Sequence, residues 1–307
     1  MNILRDSTIV SGNIDNAGSK ANKPTLLLLH GMGLGAWIWE RDQAIFAEAG
    51  YTSWAIDLPG HGKYADEDPS FSDVVDRVRL VVDAIEGRVV IVGHSVGGLV
   101  AQRLASEIEL DAIVMLCPTP PKEVIIIPTK YSVKAAMGAL PALAMGRRIN
   151  FSNSNYEGAG LSSLPPGDGP QVLGKIMSWP NKLSRELAFR RPSVQPANIP
   201  VLSCFGGLDT IIPLKSSRMI GEYHNCAITW RFDDVGHFPP LEPAGARIAE
   251  AVVEWLKRPS GRKILEVDAF KPAEGVGYDA RMAAAPVVRS DSAFGKKKKK
   301  KKKKIKS

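Results

Sequence analysis

The sequence predicts an α/β fold: a mostly parallel central sheet flanked by helices, with a mainly helical insertion above the strand ends. Three observations predict it. Short, continuous apolar runs alternate with helical patterns, as expected where each strand is covered on both faces. The alternation fails once, between residues 119 and 198, a stretch far too long for an ordinary loop. No segment reaches the roughly 18 uninterrupted apolar residues of a membrane-spanning helix. The 44% hydrophobic content therefore has to fill a globular core.

The elements follow in order. Residues 3–16 offer one or two weak edge strands. Thr25–Leu29 (TLLLL) is a strand buried on both sides, and Trp54–Leu58, Arg88–Val92, Ala112–Cys117, Val201–Phe205 and Ala227–Phe232 repeat the pattern. Between the second and third runs, Val74, Val75, Val78, Val81, Val82 and Ile85 share one helical face, with Ser72 as the expected N-cap. A second helix spans Ala244–Leu256, with Ile248, Val252 and Leu256 inward and Pro243 in its first turn. The expected organisation is a core of residues 1–118 and 199–258, a lid of residues 119–198 and a polar tail of residues 259–307. Within the lid, Tyr131–Met145 and Gln171–Met177 read as amphipathic helices, and Asn153–Pro170 as a mobile Gly- and Pro-rich middle.

Charge and cysteine usage narrow the function classes. The formal charge of +8 arises from ten lysines between Lys296 and Lys306; the rest carries 30 basic against 32 acidic residues, a balance of −2. Nothing in the folded part suggests a nucleic-acid surface. A lysine run this dense repels itself and is expected to be disordered. It either contacts anionic surfaces non-specifically or has no folded role, and the second reading is preferred. The N-terminus lacks the basic and apolar segments of a secretory signal. Cys117, Cys204 and Cys226 are odd in number and fall in apolar runs, which fits reduced, buried thiols in a cytoplasmic protein. None forms a CxxC pair, so no metal site is expected.

The chemistry concentrates at Gly93-His94-Ser95-Val96-Gly97-Gly98, which follows one strand directly and opens a helix running to Ile108. A strand that turns sharply into a helix lifts its central side chain clear of the sheet, and the flanking positions must be small where strand and helix nearly touch. Gly93 and Gly97 meet that requirement, and Ser95 is the candidate nucleophile. A bare G-x-S-x-G pattern is weak evidence by itself, since a tight turn with an exposed serine explains it equally well. The strand before, the helix after and a partner histidine decide for the nucleophile.

A serine hydroxyl needs a base, and five histidines are available. His94 adjoins Ser95 and is expected to point away from it. His30 and His61 lie in turns after strands, and His224 reads as a surface residue. His237, in Val235-Gly236-His237-Phe238-Pro239, occupies a loop after the last strand, at the same sheet edge as Ser95. It is the candidate base. Asp209, just past the VLSCF run, is the candidate orienting carboxylate, with Asp233 or Asp234 as weaker choices. Two backbone donors are needed for the developing oxyanion, each worth about 3 kcal/mol. The N–H groups of Val96 and of Met32, in the His30-Gly31-Met32-Gly33 turn, are placed to supply them. His30, Gly31, Trp37, Trp179 and Phe238 are candidate pocket residues.

Together these segments resemble the α/β-hydrolase superfamily. The His-Gly turn at His30, the Asp-Leu-Pro-Gly-His-Gly run at Asp57, the Ser95 turn, Asp209 and Gly-His-Phe at Gly236 fall in its order, and the resemblance covers residues 24–258. It implies a triad of Ser95, Asp209 and His237, with Met32 and Val96 as oxyanion donors. The polylysine tail departs from it. The expected activity is hydrolysis of carboxylic esters of small to medium hydrophobic acyl compounds through an acyl-Ser95 intermediate, without cofactor. The same residues would also serve a thioesterase, a carbon–carbon bond hydrolase or a perhydrolase. A serine at this position argues against haloalkane dehalogenase or epoxide hydrolase chemistry, which needs aspartate there. A non-catalytic binding module on the same fold predicts loss of a triad residue, and none is missing.

Overall fold

A computed structural model describes residues 7–11, 23–150, 164, 168–224 and 227–259. Cys226, residues 260–307 and most of the 153–170 stretch lie outside the described residues. Among the described residues seven strands form one sheet: β1 (Ser7–Val10), β2 (Thr25–Leu29), β3 (Ser53–Ile56), β4 (Val89–His94), β5 (Ala112–Leu116), β6 (Val201–Gly206) and β7 (Ala227–Phe232). Their spatial order is β1-β3-β2-β4-β5-β6-β7, with β4 in the middle. The β1–β3 pairing of this sheet is antiparallel, and the five pairings from β3–β2 to β6–β7 are parallel. The weak N-terminal segment thus supplies one edge strand.

The helices are α1 (Glu40–Glu48), α2 (Phe71–Ala84), α3 (Val96–Leu104), α4 (Lys130–Ala144), α5 (Asp168–Lys175), α6 (Asn181–Phe189), α7 (Leu214–Tyr223) and α8 (Ala246–Leu256). The two-residue side-chain period of a strand splits the core. Leu27, Leu29 and Ile91 face a layer containing α2 and α3. Leu26, Leu28, Val90 and Val92 face one containing α1 and α8. Both faces are covered, which is why the runs read as apolar throughout.

One helix boundary differs from expectation. The N-cap of α2 is Ser70, not Ser72. The Ser70 Oγ accepts the N–H of Asp73, whose carboxylate accepts the Ser70 N–H in return, a reciprocal capping box. Phe71 prefers the first helical turn because its ring is buried against the core, so Ser72 falls inside the helix.

Helices α4, α5 and α6 all lie between β5 and β6 in the chain. The segment is tied to the core by side chains as well as backbone. The Arg148 guanidinium donates to the carbonyls of Gly60 (2.7 Å) and Glu67 (3.1 Å), and the Met177 N–H donates to the carbonyl of Gly33 (2.8 Å). Among the described residues no helix is long and apolar enough to cross a membrane.

Candidate active site

β4 ends at His94 and α3 begins at Val96, leaving Ser95 alone at the turn with φ 52°. That is left-handed backbone, strained for a residue with a Cβ. Hydrogen bonds on both sides hold it: the Ser95 N–H donates to the Leu116 carbonyl (3.0 Å), and the Ser95 carbonyl accepts from Thr119 (2.9 Å). The small neighbours are obligatory. A Cβ on Gly93 would lie 2.4 Å from the carbonyl oxygen of Gly97, and one on Gly97 would lie 2.4 Å from that of Leu29.

Ser95, His237 and Asp209 form one hydrogen-bonded chain across three strand ends. The Ser95 hydroxyl donates to Nε2 of His237 at 3.1 Å, and Nδ1–H of His237 donates to Asp209 Oδ2 at 2.8 Å. The second carboxylate oxygen of Asp209 accepts the backbone N–H groups of Ile211 (2.8 Å) and Ile212 (2.9 Å). Those bonds fix its plane, so one oxygen always faces the imidazole. Asp233 and Asp234 pair instead with Arg231 and Arg247.

The turn after β2 runs against the serine. A Cβ on Gly31 would lie 2.9 Å from the Cβ of Ser95, so only glycine allows this approach, and Met32 borders the same cavity as Ser95. Val96 opens α3, where backbone N–H groups have no partner within the helix and the dipole favours negative charge.

Above Ser95 lies a cavity of about 480 Å³. Its floor contains Ser95, His237 and Met32, and its walls include Tyr131, Ala139 and Leu143 of α4 and Leu187 of α6. Of the five candidate pocket residues, Trp179 and Phe238 line it and His30, Gly31 and Trp37 do not. Trp37 packs instead beneath the Lys175 ammonium, 5.2 Å from its ring. His30 is wholly buried behind the turn, where its ring donates to the Gly31 carbonyl and accepts from Leu58.

Two more histidines depart from expectation. His224 is not on the surface. It is buried, accepts the Ala197 N–H and donates to Gln102; burial pushes its pKa down to about 4. His94 does not turn away from the site. Its Nε2–H donates to the carbonyl of His237 at 2.7 Å, and the two rings lie 5.2 Å apart. Burial, and then the neighbouring His237, hold it well below the ordinary histidine value.

Two residues near the hydrogen-bonded chain have no part in the site as read from the sequence, where Cys117 is expected only as a buried thiol. Cys117 ends the β5 run in left-handed backbone (φ 46°), and its thiol reaches the Gly236 carbonyl at 3.5 Å. Its sulfur, an Asp209 oxygen and a His237 nitrogen all lie within 4.8 Å of one another, a grouping of metal-ligating types. Burial, then the charge of Asp209, push the thiol well above its usual pKa. The Cys117 thiol donates to the Gly236 carbonyl, and Asp209 and His237 of the grouping are hydrogen-bonded to each other. The other is Glu242, fully buried beside His237. A lone glutamate in the apolar run Phe238-Pro239-Pro240-Leu241 was the available signal.

Fold and family now agree. The chain belongs to the alpha/beta hydrolase family, whose model matches residues 26–251, and it is a hydrolase. Among curated proteins it is similar to the pimeloyl-[acyl-carrier protein] methyl ester esterases of Neisseria meningitidis and Aromatoleum aromaticum. Each is 27% identical to it; the first match covers 77% of this chain and 79% of the relative, the second 72% and 93%. Among solved structures it is similar to a thermophilic esterase from Thermogutta terrifontis (TM-score 0.64, 18% identity, 82% of this chain and 93% of that one). A monoacylglycerol lipase from Paleococcus ferrophilus gives a TM-score of 0.60 at 19% identity, covering 82% and 98%.

Proposed function

We propose that the protein is a serine esterase in which Ser95 is the nucleophile, His237 the general acid–base and Asp209 the residue that orients the imidazole. The observation that carries this reading is the continuous chain from Asp209 Oδ2 through the His237 ring to the Ser95 hydroxyl, at 2.8 and 3.1 Å, opening onto the cavity floor. Ser95 attacks the ester carbonyl while His237 Nε2 takes its proton. The N–H groups of Val96 and Met32 receive the oxyanion. His237 then protonates the departing alkoxide, and water activated by the same ring releases the acid.

The substrate is an ester with an apolar acyl or alkyl part, because the cavity walls named above are aliphatic and aromatic. Residues 119–198 act as the lid that sets its length. Relatives named as methyl ester esterases support a small alcohol as leaving group. An ester also fits better than an amide, since an alkoxide leaves more readily than an amine. The test is a p-nitrophenyl ester series of rising acyl length beside Ser95→Ala, with a fluorophosphonate label. Wild type hydrolyses the short and medium esters and labels at Ser95, and Ser95→Ala does neither. A wild type that neither labels nor hydrolyses any ester overturns the reading.

A further inference from the structure

We propose that Glu242 is a positioning residue for His237, its carboxylate fixing the backbone on both sides of the ring. This rests on the role given to His237 above. Both carboxylate oxygens are used: Oε2 accepts the N–H of Gly236 at 2.6 Å and Oε1 accepts that of Phe238 at 2.7 Å. His237 sits between those two residues, and its own carbonyl accepts from His94 Nε2 at 2.7 Å. The peptide groups on either side of His237, 235–236 and 237–238, are thus held by two buried side chains, each 0% exposed.

A loop whose backbone bonds only to water samples many φ/ψ values. Here the loop carries the side chain that must keep both of its ring nitrogens engaged at once. The clamp is itself anchored. Arg41 donates to the carbonyls of Glu242 (2.6 Å) and Pro239 (3.0 Å), and the Glu242 N–H returns to the Phe238 carbonyl (3.1 Å). A small rotation at Gly236 or Phe238 moves Nε2 by a fraction of the 3.1 Å that joins it to Ser95, and alignment losses of that order are costly for proton transfer.

The carboxylate matters because of its symmetry. It offers two acceptors, and two N–H groups need them. Glutamine has the same shape but one acceptor, so Glu242→Gln leaves one N–H facing an NH₂ donor. Aspartate keeps both oxygens but is a methylene short of reaching both.

The experiment compares wild type, Glu242→Gln, Glu242→Asp and Gln43→Ala. The last is a control, since Gln43 is buried and bonded to Thr8 and Ser53, away from the site. Esterase kinetics are measured with p-nitrophenyl butyrate. The low-field proton resonance of the His237–Asp209 hydrogen bond, assigned by its loss in Asp209→Asn, is recorded without substrate. For Glu242→Gln the expected result is a 10- to 100-fold fall in kcat with KM within about threefold, and a shifted or broadened resonance. Glu242→Asp falls in between. Gln43→Ala lowers the melting temperature without altering kcat or the resonance. A folded Glu242→Gln or Glu242→Asp protein with wild-type kcat and an unchanged resonance overturns the proposal. If wild type itself lacks esterase activity, the esterase reading fails, while the resonance still decides whether Glu242 positions the ring.

Discussion

The ring of His30 joins two strand ends: its Nε2 accepts the N–H of Leu58 at 2.9 Å, and its Nδ1–H donates to the Gly31 carbonyl at 2.7 Å. Only a neutral imidazole can accept at one nitrogen while donating at the other, and burial keeps it neutral by lowering its pKa to about 4. The histidine is therefore a brace for the turn that carries Met32, not a wall of the cavity. Replacing it by alanine leaves the Leu58 N–H without an acceptor. We expect His30→Ala to reduce kcat about tenfold with little change in KM and to lower the melting temperature. Steady-state kinetics and thermal unfolding on one preparation check this.

The donor assigned to Met32 is its backbone N–H, so the side chain is expendable and the nitrogen's hydrogen is not. Met32→Ala should keep kcat within about threefold. Met32→Pro removes the N–H and should lower kcat by about 10²-fold or more. Equal losses in the two variants would show that the side chain, not the amide, contributes.

Ala139 of α4 is buried and lines the cavity. Ala139→Phe places a ring in that space and should move the preferred acyl chain to shorter lengths in the ester series, with acetate hydrolysis retained. An unchanged length profile would mean that the acyl chain lies elsewhere.

Acid should destabilise this protein well above the carboxylate range. Burial lowers the pKa of His30 and His224 to about 4 and that of His61 to about 3, against 6.5 for a free imidazole. Below pH 6.5 the unfolded chain takes up protons that the folded one refuses, so stability falls as pH drops from 6.5 toward 4. The loss at pH 5 is about 2 kcal/mol for each group. Melting temperatures from pH 7.5 to 4.5 should fall steeply below pH 6.5, and His224→Gln should flatten that slope.

Removing residues 260–307 should leave kcat/KM for p-nitrophenyl esters within about twofold, since the family match ends at residue 251. A larger loss would give the lysine-rich tail a part in catalysis.

Much of the architecture was legible because both-sided burial writes itself as continuous apolar runs, and the turn at Ser95 demands glycines at fixed offsets. The antiparallel edge strand was faint because its two central residues face solvent. What stayed hidden depended on neighbours distant in sequence. Ser72 reads as the cap from the sequence alone; the burial of Phe71 is what moves the start of the helix back to Ser70. His224 looked exposed because its partners, Gln102 and Ala197, come from other parts of the chain. Glu242 had no visible task while the path of the loop around His237 was unknown.

The segment whose helices α4 and α6 line the cavity leaves the sheet after β5 and returns to it at β6, and those two strands are direct neighbours, with Ile113 opposite Val201 and Leu116 opposite Cys204. Exit and re-entry therefore sit side by side at a single seam. A segment of different length or sequence can be grafted at that seam without re-registering any strand. Selectivity can then drift, or be engineered, while the hydrogen-bonded chain beneath it keeps its distances.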